Sequence, residues 1–116
     1  MYEGDEVMEQ IYIDTAGMLK ALSDPKRLKI IDMLSCGEIC ACNILGYFNI
    51  TQPTLSHDMK VLMDAGIVKS RRQGKNVYYR LNEDRLALLQ DQIHQLFGKK
   101  EQCICGQLDC GCRKEN

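Results

Sequence analysis

A change in apolar periodicity after Gly66 constrains the fold of this chain more than any other feature. From residue 11 to residue 65 the apolar residues recur every three or four positions, which predicts helices. Residues 77–81 instead alternate apolar and polar side chains, which predicts a strand, and residues 67–72 supply a partner strand. Gly74 can adopt the positive φ that a tight turn between them requires. The pattern predicts a mainly α-helical chain with one two-stranded β-hairpin, an α+β architecture.

Five helical segments accompany this hairpin, four before it and one after it. The first two are separated by Ser23-Asp24-Pro25, where the serine or the aspartate can cap the second helix and the proline fits its first turn. Thr51 is the expected N-cap of the fourth helix. The predicted helices are a first ending near residue 22, a second with Leu28, Ile31 and Leu34 buried, a third from Glu38 to about Phe48, a fourth over 52–65 with Leu55, Met59 and Leu62 buried, and a fifth from Glu83 to Phe97.

The charge of the chain is unevenly distributed. The formal net charge is −1 over 116 residues, but residues 1–24 hold six acids and one lysine, whereas residues 51–82 hold six basic residues and two acids. A hydrophobic content of 45% is enough for one domain with its own core. We therefore expect a domain over residues 1–98 with one basic face, followed by a cysteine-rich tail over 99–116.

Seven cysteines indicate thiol chemistry rather than a disulfide framework, because their count is odd. Residues 1–10 do not resemble a signal peptide, and no apolar run approaches the roughly 20 residues of a membrane span. We therefore expect a cytoplasmic protein with no membrane association. The sequence contains no Gly-rich phosphate loop, no metalloprotease-type motif and no evident base for a nucleophilic cysteine, so neither an enzyme nor a small organic substrate is expected.

A helix, a tight turn, a second helix and a basic hairpin form the winged helix-turn-helix arrangement of DNA-binding proteins. Taken alone, the polar residues of the fourth helix are more simply a solvated face. The adjoining hairpin favours double-stranded DNA as the partner, because almost no acid interrupts its basic residues. The candidate DNA-binding residues are Gln52, Thr54, Ser56, His57 and Lys60 on the helix and Lys69, Arg71, Arg72, Lys75 and Arg80 on the hairpin.

Along residues 10–97 the chain carries, in order, the motifs Leu19-Lys-Ala-Leu-Ser-Asp-Pro-Lys-Arg-Leu28, Glu38-Ile-Cys-Ala-Cys42, Gln52-Pro-Thr-Leu-Ser-His57, Lys60-Val-Leu, Ala65-Gly-Ile-Val and Val77-Tyr-Tyr-Arg80. Together they resemble the ArsR/SmtB family of metal-responsive repressors. The resemblance implies a homodimeric winged-helix repressor that leaves its operator when a metal or metalloid binds, with residues 5–22 and 83–98 forming the dimer interface. The apolar stripes of those two helices are equally compatible with a plain core.

The same resemblance makes Cys40 and Cys42 the first-choice sensing site. Thiolates prefer soft ions, which excludes Mg²⁺ and Ca²⁺. Residues i and i+2 of an ideal helix point about 200° apart, so the pair can share one ion only if the first turn is unwound. Cys36 is the natural third ligand. A buried, purely structural role for the three thiols is the alternative.

The identity of the inducer follows from the number of sulfurs within reach. Cadmium and lead sensors of the family commonly recruit cysteines from the N-terminal arm, and residues 1–35 contain none. As(III) or Sb(III), which needs only three sulfur ligands, is therefore the expected inducer, with Cd(II) or Pb(II) as the alternative. A Zn(II) site on the last helix is disfavoured, because Arg85 and Leu96 stand where the zinc-sensing pattern has histidines. A thiol-redox repressor of the same fold is the other alternative.

The tail carries four further cysteines, Cys103, Cys105, Cys110 and Cys112, beyond the span of the resemblance. They could form a four-sulfur metal site, capture a metalloid, or complete the central site in the same or the partner subunit. A solvated tail that scavenges metal without signalling is an equal alternative.

Overall fold

The computed structural model describes residues 3–98, with side chains from residue 9 onward, so the four tail cysteines lie outside the described residues. Five helices and three strands follow one another along this part of the chain. They are α1 (Glu3–Leu22), α2 (Pro25–Leu34), β1 (Ile39–Cys40), α3 (Ala41–Phe48), α4 (Gln52–Asp64), β2 (Val68–Gln73), β3 (Asn76–Leu81) and α5 (Glu83–Phe97).

Capping residues set the helix boundaries around the helix-turn-helix. Asp24 caps α2 by accepting a hydrogen bond from the backbone N–H of Arg27 at 3.0 Å, with Pro25 in the first turn. Asn49 ends α3 in the left-handed region at φ 56°, and the Thr51 hydroxyl accepts from the backbone N–H of Thr54 to cap α4. Only three residues therefore separate α3 from α4, as predicted for a helix-turn-helix.

The three strands form one antiparallel sheet in the order β1-β3-β2. The β2–β3 hairpin turns through Gly74 at φ 63°, and a positive φ at the first central residue is typical of a type II′ turn. Strand β1 adds a third strand to the predicted two, by pairing Ile39 with Tyr79 and Cys40 with Tyr78. The predicted start of α3 at Glu38 is wrong for the same reason: this sheet pairing holds residues 39–40 extended, and the helix begins at Ala41.

The core lies between the helices and the inner face of the sheet. Leu55, Met59 and Leu62 are fully buried on α4, as predicted. On α2 the buried residues are Ile30 and Leu34, whereas Leu28 is 52% exposed, contrary to the prediction. The remaining buried apolar residues are Met18, Ala21, Ile44, Ile67, Val68, Tyr79 and Leu89.

Helices α1 and α5 lie against each other and keep large apolar side chains on their outer surfaces. The Thr15 hydroxyl of α1 donates a hydrogen bond to the Gln92 side chain of α5. The exposed large apolar residues on these two helices are Ile13, Leu19, Leu88, Leu96 and Phe97. Within the described part of the chain, no helix combines the length and the hydropathy needed to span a bilayer.

Candidate DNA-binding face and thiol site

The outer face of α4 carries the candidate base-reading residues. Gln52, Ser56 and His57 are exposed, because each lies away from the buried stripe of the helix. Lys60 is also exposed and forms an ion pair with Asp64 one turn later, at 3.2 Å. Thr54 is exposed, and its hydroxyl lies 3.0 Å from that of Thr51 at the helix start. The face is polar and accessible, and its contact with DNA stays a prediction.

A buried carboxylate anchors this helix to the start of α2. Asp58 is only 3% exposed and lies on the same face as the apolar residues of α4. Its oxygens lie 2.7 Å from Lys26 Nζ and 3.3 Å from Arg27 Nη1, and Arg27 Nε donates to the carbonyl of Ala21 at 2.6 Å. These contacts tie α4 to α2 and to the end of α1. The sequence signal was available, since Asp58 interrupts an otherwise apolar stripe.

The hairpin presents most of its basic residues to solvent. Lys69, Arg72, Lys75 and Arg80 are exposed, with Lys75 at the tip of the turn. This arrangement exposes positive charge on the hairpin that follows α4 along the chain, as a wing requires.

Arg71 differs from the other basic residues of the hairpin because a carboxylate holds it. Its Nε and Nη2 atoms donate to the two oxygens of Glu38 at 2.9 Å and 2.7 Å, a bidentate pair. Its guanidinium also lies 4.6 Å from the centre of the Tyr78 ring. The hydrogen bond from Arg71 lowers the pKa of the Glu38 carboxyl. Sequence reasoning missed this pair, because Glu38 and Arg71 come together only through the sheet.

Cys40 and Cys42 meet at the junction of β1 and α3. Cys40 is the N-cap residue in an extended conformation, and Cys42 lies in the first turn, with its sulfur 2.9 Å from that of Cys40. Both are free thiols, and the separation is well beyond the roughly 2.0 Å of a disulfide. In a helix that began at Glu38 the two side chains would point apart, but residues 39–40 are extended and Cys40 lies outside the helix. The chain presents two convergent sulfurs without unwinding α3.

The two thiols differ in acidity. The hydrogen bond from the Cys42 thiol, together with the backbone N–H groups of Cys42 and Asn43, lowers the pKa of Cys40. Donation of that hydrogen bond raises the pKa of Cys42. Cys40 is therefore the thiol that ionises first and the stronger candidate for the initial bond to a soft electrophile.

Cys36 lies apart from this pair. It is exposed in the loop after α2, in a cleft that it shares with Glu38, Arg80 and Glu83. Among residues 9–98, no three histidine, cysteine or acidic side chains are grouped closely enough to hold a metal ion, on α5 or elsewhere. The structure brings together two of the three central cysteines, and a third ligand from Cys36 or from the tail stays a prediction.

Known proteins are similar to this chain in both sequence and fold. The sequence profile described as "Bacterial regulatory protein, arsR family" matches residues 24–70. The arsenical resistance operon repressor of Staphylococcus xylosus is 41% identical, with the alignment covering 86% of this chain and 96% of that protein. The chain belongs to the ArsR family.

Two further similar proteins illustrate the range of regulators that this chain resembles. The cadmium resistance transcriptional regulatory protein CadC homolog of Staphylococcus aureus is 37% identical over 78% of this chain and 77% of that protein. The crystal structure of the transcriptional repressor BigR from Xylella fastidiosa matches with a TM-score of 0.61 and 36% identity, covering 86% of this chain and all of that one. The winged helix-turn-helix prediction is confirmed, with a third strand added to the wing.

Proposed function

We propose that this protein is a DNA-binding repressor of a metal(loid)-resistance operon, released from its operator when As(III) or Sb(III) binds its cysteine thiolates. It acts as a homodimer in the cytoplasm. The observation that carries the proposal is the convergence of the Cys40 and Cys42 sulfurs, 2.9 Å apart, at the start of α3, the helix that immediately precedes α4. The arsenical resistance operon repressors among its ArsR relatives support the operon type.

The DNA side of the proposal rests on α4 and the wing. Helix α4 is anchored from behind by Asp58, so its outer face can enter the major groove without losing its attachment to the core. The basic residues of the hairpin lie beside it and can meet phosphates, which position a protein without reading sequence. Base contacts come from the polar residues of α4. The proposed contacts are those of Gln52, Thr54, Ser56, His57 and Lys60, with Lys69, Arg71, Arg72, Lys75 and Arg80 on the backbone.

The inducer side rests on ordinary thiol exchange at a trivalent centre. Each thiol that bonds to arsenous acid, As(OH)₃, gives its proton to a departing hydroxide, so three As–S bonds release three waters without any redox step. Cys40 and Cys42 supply two of the sulfurs. The third comes from Cys36 or from one of the tail cysteines Cys103, Cys105, Cys110 and Cys112, on the same or the partner subunit. The three sulfur ligands of a pyramidal trivalent centre can lie closer together than the four ligands of a tetrahedral zinc site, in which each Zn–S bond is roughly 2.3 Å.

The two sides are connected through the sheet and through a short turn. Cys40 pairs with Tyr78 of β3, which is a strand of the wing, and α3 leads into α4 after three residues. Drawing Cys40 and Cys42 towards a third sulfur therefore displaces elements that carry DNA-binding residues. A ten-fold loss of operator affinity requires about 1.4 kcal/mol of coupling between the two sites.

The dimer rests on the exposed apolar surface of α1 and α5. Among residues 9–98, five large apolar side chains on these helices face solvent in the single chain, and burial of such a patch favours a partner. A two-fold arrangement would also place two copies of α4 at successive turns of DNA.

Two specific observations favour second candidates. A cadmium resistance regulator is among the relatives, which supports Cd(II) as the inducer. The Cys40 and Cys42 sulfurs are close enough to oxidise to a disulfide with little movement, which supports a thiol-redox repressor.

Fluorescence anisotropy of operator DNA distinguishes these candidates. The reduced protein, in excess reductant, is titrated with arsenite, antimonite, cadmium, lead and zinc in turn, and then with oxidant after the reductant is removed. We expect release by arsenite and antimonite. Release by cadmium or lead but not by arsenite or antimonite would identify Cd(II) or Pb(II) as the inducer. Release only by oxidant would identify the protein as a thiol-redox repressor. A chain truncated after Lys100 shows whether the tail takes part.

A further inference from the structure

The outer face of the sheet places the thiol site and one wing arginine in the same row. Cys40 lies opposite Tyr78, and Tyr78 lies opposite Arg71 on its other side. Residues directly opposite one another point to the same face of a sheet. The next row contains the buried Tyr79, so the row of Cys40, Tyr78 and Arg71 faces outward.

Glu38 joins this row from the segment that leads into β1. It lies two residues before Cys40, and its carboxylate makes the bidentate pair with Arg71 across the width of the sheet. A third donor of Arg71, Nη1, reaches the Gln73 side chain at 2.7 Å. The donors and the aromatic contact of Arg71 are thus directed along the sheet and not away from it.

A guanidinium in this arrangement has two competing acceptors. Carboxylates and phosphates accept the same parallel pair of N–H bonds, so Arg71 cannot give that pair to Glu38 and to DNA at once. The side chain of Arg71 is 47% exposed, so a phosphate can reach it when the ion pair with the Glu38 carboxylate is broken.

We propose that Glu38 is a positioning residue that withdraws Arg71 from the operator backbone, and that the segment 38–42 thereby couples the thiol site to a DNA contact. This inference rests on the proposed function. A ligand that fixes Cys40 and Cys42 also fixes Glu38 two residues away, which favours the Glu38–Arg71 pair. Operator DNA favours the opposite state, in which Arg71 holds a phosphate. Because the two states exclude each other, ligand and DNA weaken each other's binding through this pair.

Glu38→Gln tests the first half of the inference, because glutamine keeps the shape of the side chain and loses its charge. Without any inducer, we expect this variant to bind operator DNA about two- to five-fold more tightly than the wild type in anisotropy titrations at fixed salt, the range of a surface ion pair. The active fraction of each protein is first set by stoichiometric titration, so partial misfolding does not mask a gain.

Two controls separate the loss of the pair from a change in total charge. Glu83→Gln removes a carboxylate from the cleft beside Glu38 that does not hold Arg71, and it should give less than the Glu38→Gln gain. In an Arg71→Gln background, Glu38→Gln should increase operator affinity no more than Glu83→Gln does. The arginine that the loss of the Glu38 carboxylate would make available to DNA is absent from that background. A Glu38→Gln gain no larger than the Glu83 control, or one that persists without Arg71, would overturn the inference.

Arsenite tests the second half. We expect the arsenite-induced loss of operator affinity to be smaller in Glu38→Gln than in the wild type, and an undiminished loss would refute the coupling role. If arsenite does not release the wild type, the proposed inducer is wrong, and the inducer-free titrations still decide whether Glu38 withdraws Arg71. The two proposals therefore fail separately.

Discussion

Cys40 and Tyr78 lie directly opposite each other in the β1–β3 ladder, so the thiol site and the wing belong to one sheet. This pairing gives the proposed sensing site a connection to the wing that does not pass through the core. The same cysteine caps α3, which leads into α4. Cys40 thus pairs with a strand of the wing and lies at the start of the helix that leads into α4.

The unequal acidity of the two thiols predicts unequal reactivity. Because the pKa of Cys40 is lowered and that of Cys42 is raised, a larger fraction of Cys40 is thiolate at any pH below the usual thiol range. Iodoacetamide should therefore label Cys40 faster than Cys42, and as the pH is raised the rate for Cys40 should begin to increase at a lower pH than the rate for Cys42. Fragment-ion mass spectrometry, which distinguishes a label on Cys40 from one on Cys42 within the same peptide, measures both rates at low labelling from about pH 6 to about pH 9.

A pair of substitutions identifies the cause of that difference. Cys42→Ala removes the thiol that donates to Cys40 and should slow labelling of Cys40, whereas Cys42→Ser keeps a donor and should preserve more of the rate. Equal rates for the two cysteines in the wild type, or no effect of Cys42→Ala, would contradict the assignment of the donor.

The buried carboxylate of Asp58 predicts a large stability effect at one position of α4. Asp58→Asn keeps the volume of the side chain but weakens its bonds to Lys26 and Arg27, so the free energy of unfolding should fall by about 1–3 kcal/mol. Urea denaturation at fixed protein concentration measures it, since the stability of a dimer depends on concentration.

Asp64 offers a matched control on the same helix. Its ion pair with Lys60 is largely exposed, so Asp64→Asn should leave the free energy of unfolding nearly unchanged. Similar losses for the two substitutions would mean that Asp58 does not anchor α4.

The position of Lys75 at the hairpin tip predicts an electrostatic contribution that is independent of sequence. Lys75→Ala should weaken binding to operator and to unrelated DNA alike, and it should reduce the slope of log K against log salt by about 0.9 if one phosphate contact is lost. Lys75→Arg keeps the charge and should keep the slope. An unchanged slope in Lys75→Ala would remove the tip of the wing from the DNA contact.

Local signals were sufficient to predict the helix-turn-helix and the hairpin. Thr51 and Pro53 mark the start of α4, and Gly74 marks the turn, because capping and φ preferences depend on a few neighbouring residues. Fold type and the exposure of the outer face of α4 therefore followed from the sequence.

The two errors of the sequence-based prediction, the missed strand β1 and the exposure of Leu28, both arise from contacts between residues that are distant in sequence. Strand β1 exists because residues 39–40 pair with residues about forty positions away, and a two-residue strand carries no periodicity. Arg27 lies on the inner face of α2, three residues before Ile30, because its guanidinium donates hydrogen bonds to the Asp58 carboxylate and to the Ala21 carbonyl. The apolar Leu28 is therefore left outside. In both cases a tertiary partner decided the outcome.

Release of operator DNA by arsenite, compared among four proteins, tests the central claim most directly. The proteins are the wild type, Cys40→Ser, Cys42→Ser and Asn43→Ser, the last being a matched change of an exposed, thiol-free residue in the same turn. The account predicts that all four bind the operator, that arsenite releases the wild type and Asn43→Ser, and that the two cysteine variants stay bound at the same concentration. Release of Cys40→Ser at the wild-type concentration of arsenite would contradict it.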